Sequence, residues 1–303
     1  MKYFKSYLPK NNSVIEEGNI PKKIFMTWRS HELSDTMYNN IQLWIEKNPD
    51  WELHLYDDHE CIEFIESNFD QDVVDTYNNL FPTAYKADLF RYCLLYIYGG
   101  VYTDVKMVPL EPLSEIITKG IDFLSAKDRL FDRFEFDGYI FQAFLCAKPK
   151  HQFFKQAIKM IVENSQTGYY GNDPLCPTGP GLLGRAINIC CNRSKTSKIG
   201  LGIHCINDFN FELLKHGDSA IVDKNDKQLI LDRYSDYRKE LHSGFELARR
   251  YNACWFINRA YIKSHKTKSK KKYFLKNKFT YTLRYVYFVK IVKILKKIFN
   301  KTK

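Results

Sequence analysis

Residues Tyr85 to Pro109, YKADLFRYCLLYIYGGVYTDVKMVP, leave few folds open to the chain. Leu89, Tyr92, Cys93 and Tyr96 repeat at i, i+3, i+4 and i+7, which predicts one buried face of a helix. Gly99-Gly100 predicts its end, because glycine readily takes the left-handed conformation that closes helices. The β-rich run Val101-Tyr102-Thr103 then predicts a short strand that delivers Asp104 to its end. Open α/β sheets gather ligands at the carboxyl ends of their strands, so position alone makes Asp104 a candidate site residue.

The pattern Ala87-Asp88-x-x-Arg91-Tyr92-x-x-Leu95-Tyr96-x-x-Gly99-Gly100-Val101-Tyr102-x-Asp104 resembles the core of the DXD sugar transferases, glycosyltransferase family 32. That family includes the initiating α-1,6-mannosyltransferases, and the glucosylating bacterial toxins are relatives. The resemblance spans the eighteen positions from Ala87 to Asp104 with its spacing kept. It departs at one point, where the family usually reads Asp-x-Asp and this chain reads Asp104-Val105-Lys106.

Length and composition fit the same picture. A chain of 303 residues with 45% hydrophobic content has room for one large α/β domain or two small ones. The formal charge of +11 is unevenly spread. Residues 263–303 hold 15 Lys/Arg and no acid, which leaves the preceding 262 residues with 31 basic against 35 acidic side chains. A mildly acidic body, 1–262, is therefore followed by a strongly basic tail, 263–303. Eight cysteines show neither a CxxC pair nor metal-ligand spacing, and the first twelve residues lack the apolar run of a signal peptide. Free thiols in a reducing, cytoplasmic setting are the expectation.

Residues 1–20 are polar and predict a loose arm. Lys23-Ile24-Phe25-Met26-Thr27-Trp28 reads as the first buried strand, followed by a helix from near Ser34 to Asn48 and a second strand over Trp51–Tyr56. Asp57 and Glu60 have the spacing of a capping box for the next helix. Asp57 also follows a strand and could face the site, but capping alone accounts for it. Further strands are expected near 121–126, 139–147, 220–222 and 228–231, and a helix over Phe153–Glu163. Pro177-Thr178-Gly179-Pro180-Gly181 precedes another helix, where glycines admit close backbone approach and a helix N-terminus attracts phosphate or sugar oxygens.

The resemblance implies a GT-A-type nucleotide-sugar domain, with a mixed central sheet flanked by helices, and transfer of a hexose with retention at the anomeric carbon. It places Trp28 beside the nucleotide base, although a core tryptophan is the plain alternative. It assigns Asp88 to donor-sugar hydroxyls, Arg91 to the sugar or diphosphate, and Asp104 to the ribose or sugar and to a divalent cation, Mn2+ or Mg2+, if one is used. Tyr102, Lys106, Thr178, Gly179 and Gly181 complete the implied donor site. Gln142 and Trp255 are weaker matches, and His151 reads as structural. An ordinary helix ion pair between Asp88 and Arg91 is the alternative at i, i+3.

Lys106 divides the reading, because a protonated lysine cannot ligate a metal. Either another acid completes a metal site, or the ammonium neutralises phosphate directly, or strand alternation pairs Lys106 with Asp104 in a catalytically silent, sugar-binding descendant. The tail supplies one more expectation. Phe288, Ile291, Val292, Leu295, Ile298 and Phe299 form one face of a helix within 279–299, with Lys290, Lys293, Lys297 and Lys301 opposite. Such a helix lies on an anionic membrane surface rather than crossing it, or packs on the body's own acidic surface. Nucleic-acid binding is not indicated, since the body is acidic.

Overall fold

The computed structural model describes residues 1–9, 20–129, 131, 134–241, 251–256 and 258–263. All lie in the unit Met1–Ser264. The helix expected within 279–299 and the basic residues 264–278 fall outside the described residues.

The chain opens with two short strands, β1 (Lys2–Tyr3) and β2 (Ser6–Tyr7), followed by β3 (Lys23–Thr27), β4 (Glu32–Leu33) and helix α1 (Asp35–Lys47). Next come β5 (Glu52–Tyr56), α2 (Asp58–Asn68), α3 (Gln71–Asn79), α4 (Thr83–Tyr98) and β6 (Gly100–Thr103). A second series holds β7 (Val108–Pro109), α5 (Leu113–Ile116), β8 (Phe123–Lys127), β9 (Ile140–Ala147), α6 (Gln152–Thr167) and α7 (Pro180–Cys190). It ends with β10 (Gly202–Ile206), β11 (Phe209–His216), β12 (Ala220–Val222), β13 (Gln228–Leu231), α8 (Tyr237–Leu241) and α9 (Tyr251–Phe256).

The main sheet runs β2-β5-β3-β6-β9-β8-β11-β12-β13-β7, with β10 paired to β11. It is mixed: β3 is parallel to both β5 and β6, β8 is parallel to β11, and β9 runs antiparallel between β6 and β8. Side-chain alternation gives the sheet two apolar faces. Ile24, Met26, Leu53, Leu55 and Val101 pack with Met37, Ile41 and Trp44 of α1. On the opposite face Tyr56 meets Phe64 and Phe90, Phe25 meets Tyr98, and Phe123 meets Phe153 and Phe154. Helices α1 on one side and α2, α4 and α6 on the other thus bury the sheet, and the expected α/β architecture is present.

Strand β3 is the switch point. The chain leaves it through α1 to reach β5 on one side, then returns through α2, α3 and α4 to reach β6 on the other. Crossovers that part to opposite faces leave a crevice at the carboxyl ends of the strands between them. Thr27, Trp28 and Asp104 sit at that edge, as do Asp128 after β8 and His216 at the end of β11.

Three local expectations need correction. Residues 1–9 are not a loose arm: β1 pairs with β4 and β2 with β5, because the exposed edge of β5 offers unpaired backbone groups. Helix α4 is not buried on one stripe only, since Phe90, Arg91, Leu94 and Leu95 are buried beside Leu89, Tyr92 and Cys93. Finally, β6 ends at Thr103, so strand alternation does not place Lys106. Asp104 to Met107 form a turn closed by the Met107 N–H donating to the Asp104 carbonyl at 2.9 Å, and this turn brings Lys106 back toward Asp104.

The Asp57–Glu60 capping box forms on α2, with both reciprocal bonds present. His151 is structural, buried and capping α6 through the Phe153 N–H at 3.2 Å. Gly100 has φ +88°, and a Cβ there would stand 2.6 Å from the Lys23 carbonyl oxygen of the neighbouring strand. Among the described residues no helix is long and apolar enough to cross a membrane. Gly100→Ala should destabilise the fold by about 2–3 kcal/mol through overpacking between β6 and β3. The thermal midpoint should fall by roughly 5–10 °C, and an unchanged midpoint by circular dichroism would show that this junction yields.

Candidate functional site

One guanidinium gathers the site. The α4 ladder sets Asp88 and Arg91 one turn apart, and the end of β6 presents Asp104 opposite them. Arg91 Nη1 donates to Asp88 Oδ1, and Arg91 Nη2 donates to Asp104 Oδ1 at 2.9 Å. The same guanidinium lies 4.8 Å from the Tyr102 ring centre, so its flat face is covered by an aromatic neighbour. Tyr102 Oη in turn lies 2.8 Å from Thr27 Oγ1 and 3.2 Å from Asp104 Oδ1, which ties the ends of β3 and β6 together.

The TGPG loop closes one side. Thr178 Oγ1 donates to Asp88 Oδ2 at 2.8 Å, and a Cβ at Gly179 would stand 3.0 Å from that oxygen. Glycine is what lets the loop backbone lie against the Asp88 carboxylate. Gly179 caps α7 and Pro180 opens it. Gly181 is packed elsewhere, since a side chain there would meet the Tyr139 ring at 2.9 Å. Tyr92 bridges the two halves, with its hydroxyl 2.7 Å from Gln142 Oε1 and 3.0 Å from the Thr178 carbonyl. Gln142 also donates from Nε2 to the Ile140 carbonyl, so both ends of its amide are engaged.

The contacts therefore join Asp88, Arg91, Tyr102, Asp104, Lys106 and Thr178 directly, and reach Gln142 through Tyr92. Trp28 follows β3, half-buried against the core, with the Arg29 guanidinium 5.5 Å from its ring. Trp255 is buried on α9, and its indole N–H donates to the Tyr170 carbonyl at 2.7 Å. Three residues enter that the sequence did not single out. Thr27 and Tyr92 sit inside stretches already suspected, one before Trp28 and one beside Arg91. Tyr237, on α8, comes from far along the chain and carries no local signal. Its phenol is pushed up first by burial and then by the Asp104 charge.

The two carboxyls respond differently to one shared cation. Burial pushes Asp88 up to about 6, against the opposing pull of Arg91 and the Thr178 hydroxyl. Burial also works against ionised Asp104, but Lys106 and Arg91 outweigh it and hold that carboxyl below its ordinary range. Lys106 Nζ lies 3.1 Å from Asp104 Oδ2.

The donor set at Asp104 does not fit a divalent cation. One carboxylate oxygen accepts from Arg91 and Tyr102, and the other faces Lys106. A metal site needs spare acceptors, whereas this one has spare donors, including a buried Arg91 Nε without a partner among the described residues. A divalent ion about 4 Å from the ammonium would meet repulsion of about 8 kcal/mol at an effective dielectric of 20. The described residues do bring three ligand types together at His31, Asp57 and Glu60. That group is already spent on the α2 capping box and on Lys5, which lies 2.7 Å from Glu60 Oε1.

Comparison with known proteins bears on the same stretch. Residues 34–121, which contain Asp88, Arg91 and Asp104, match the family model described as "Glycosyltransferase sugar-binding region containing DXD motif". The resemblance to the DXD sugar transferases is shown. An initiation-specific α-1,6-mannosyltransferase of Candida albicans is 34% identical over 120 residues, 38% of this chain and 31% of that protein. An inositol phosphoceramide mannosyltransferase of Schizosaccharomyces pombe is 27% identical over 146 residues, 47% of this chain and 43% of that protein. The chain thus spans less than half the length of either relative. Among solved structures, the PaToxG glycosyltransferase aligns over 56% of this chain and 69% of its own, at 14% identity and a TM-score of 0.42. At that score the likeness adds nothing to the topology given above.

A pH series tests the balance at Asp88. Its carboxyl ionises near 3.8 ordinarily and near 6 in the fold. Its contribution to stability is therefore fully present below about 4 and is lost as pH rises through about 6. In urea unfolding, the margin of wild type over Asp88→Asn should shrink across that window and level off above it. A margin that grows with pH would mean that Arg91, not burial, dominates.

Proposed function

We propose that the chain is a sugar transferase that moves a hexose from a nucleotide-sugar donor to a hydroxyl acceptor. The observation that carries the reading is the Asp88–Arg91–Asp104 cluster at the switch point of the sheet, inside the region that matches the DXD family model. An arginine fixed between two carboxylates, with a hydroxyl loop on one flank, suits a ligand rich in hydroxyls and phosphate oxygens. In this reading the domain is of the GT-A type. Asp88 and Thr178 face the donor sugar, Asp104 the ribose or sugar, and Trp28 offers its exposed face to the base. Gly179 gives the donor close access to the loop backbone. Both curated relatives described above are named as mannosyltransferases, so mannose is the first sugar to try. Retention at the anomeric carbon follows the family and is checked from the product's anomeric proton.

The test is donor hydrolysis and transfer with a panel of GDP- and UDP-linked hexoses. Asp104→Asn keeps the side-chain shape and should lower turnover by about 100-fold or more, the scale of losing one charge-stabilising group. Near-normal turnover would remove Asp104 from the mechanism. The Lys106–Asp104 ion pair favours one second reading, a silent descendant that binds nucleotide-sugar without turning it over. Binding of a donor that neither hydrolyses nor transfers with any acceptor tried would select it.

The acceptor side of the proposal concerns the basic tail. With 15 Lys/Arg and no acid over 263–303, it should hold the protein against anionic lipid, at about 1 kcal/mol per charge near the surface. Full-length protein should pellet with liposomes in proportion to their anionic content, whereas a chain ending at 262 should not. Equal co-sedimentation of the two would sink the membrane role.

A further inference from the structure

We infer that Lys106 is the resident cation of this site, and that with Arg91 it holds a nucleoside diphosphate through donor contacts, without a divalent metal ion. The inference rests on the proposed donor reading, which supplies the diphosphate, and deepens it.

The backbone carrying Lys106 is pinned from several directions. Tyr234 N–H donates to the Lys106 carbonyl at 3.1 Å. Asn40 Nδ2 donates to the carbonyls of Val105 and Met107, and Trp44 Nε1 donates to Met107 as well. The turn is therefore held by α1 beneath it and by the segment leading into α8. Lys106 extends from this fixed base to Asp104, with its side chain 27% exposed, so the ammonium stands at the mouth rather than in the core. Asp104 is its one ion-pair partner among the described residues, and an ammonium has three donors. Two remain for phosphate oxygens. Arg91 behind it is locked by Asp88 and Asp104, which fixes a second positive group at the same edge.

A divalent ion in such a site would need free carboxylate lone pairs and would supply positive charge to the diphosphate. Here the carboxylate lone pairs are already given to two side-chain cations, and those cations keep donors free. Asp88 and Asp104 balance Arg91 and Lys106, so these side chains offer a diphosphate oriented hydrogen-bond donors where a metal would offer charge. In transfer, the bond from the anomeric carbon to the diphosphate oxygen breaks, and its electron pair goes to that oxygen. The acceptor oxygen bonds to the anomeric carbon, and its proton passes to the departing diphosphate. The Lys106 ammonium and the Arg91 guanidinium face the negative charge that accumulates on the diphosphate.

The experiment is calorimetric titration of GDP and UDP into EDTA-treated full-length protein, repeated with added Mn2+. Wild type should bind one of the two with the same affinity, within about twofold, in both conditions. Lys106→Met should lose roughly tenfold or more of the metal-free affinity, the scale of one charge-assisted contact. Lys106→Arg should lose far less. Lys106→Asp, which writes Asp-x-Asp into the turn, should bind only when Mn2+ is present. Unchanged circular dichroism midpoints for these variants would separate loss of binding from loss of fold. Wild-type affinity that collapses in EDTA and returns with Mn2+ would overturn the inference and leave the donor reading standing. No binding of either nucleotide, with or without metal, would overturn both.

Discussion

The guanidinium of Arg91 is the constraint on which the rest of the site depends. It is buried, and a buried cation is tolerable only when anions and acceptors surround it closely. Asp88 comes from the same helix, but Asp104 must be brought from the end of β6, and Asp88's other oxygen must be met by Thr178 from the loop before α7. One charge thus obliges a helix, a strand end and a loop to meet. Such clusters add little net stability, since desolvation offsets most of the attraction. What they supply is geometry, because any displacement of the three segments leaves a charge uncompensated.

The sheet explains why the cluster stands where a ligand can reach it. With β3 flanked by β5 and β6, and its crossovers parting to opposite faces, the edge at Thr27 and Asp104 lies at the crevice between them. Tyr102 and Thr27 close the floor of that crevice. Asp88 sits deep, where burial favours its neutral form, while Asp104 stands nearer the mouth and is kept ionised by two cations. Two residues of one type therefore ionise over different pH ranges because of depth and neighbours.

Most of this frame was legible from local chemistry. The Gly99-Gly100 pair marked the helix end, Asp57 and Glu60 marked a capping box, and the spacing from Asp88 to Asp104 marked the cluster. The failures have a common cause, which is that tertiary pairing overrides local pattern. The polar residues 1–9 gave no strand signal, yet the edge of β5 recruited Ser6–Tyr7. Strand periodicity gave the correct neighbour for Lys106 by the wrong route, because the strand stops at Thr103 and a turn performs the pairing. Tyr237 could not be found at all, since the chain brings it within range of the Asp104 charge only after β11, β12 and β13.

The limits of the family match divide the proposed site. Residues 34–121 carry the charged cluster, but Thr27 and Trp28 precede that span, and Gln142, Thr178, Gly179 and Tyr237 follow it. In the proposed reading, the matched part holds groups that any nucleotide-sugar would engage, because phosphate and sugar hydroxyls are common to all of them. The unmatched parts that contact the cluster are β3's end, the β9 strand and the TGPG loop. Discrimination between donors depends on walls, since a pocket built to hydrogen-bond one arrangement of hydroxyls leaves buried groups unpaired with another. In that reading, charge recognition and donor choice fall to different segments of this chain.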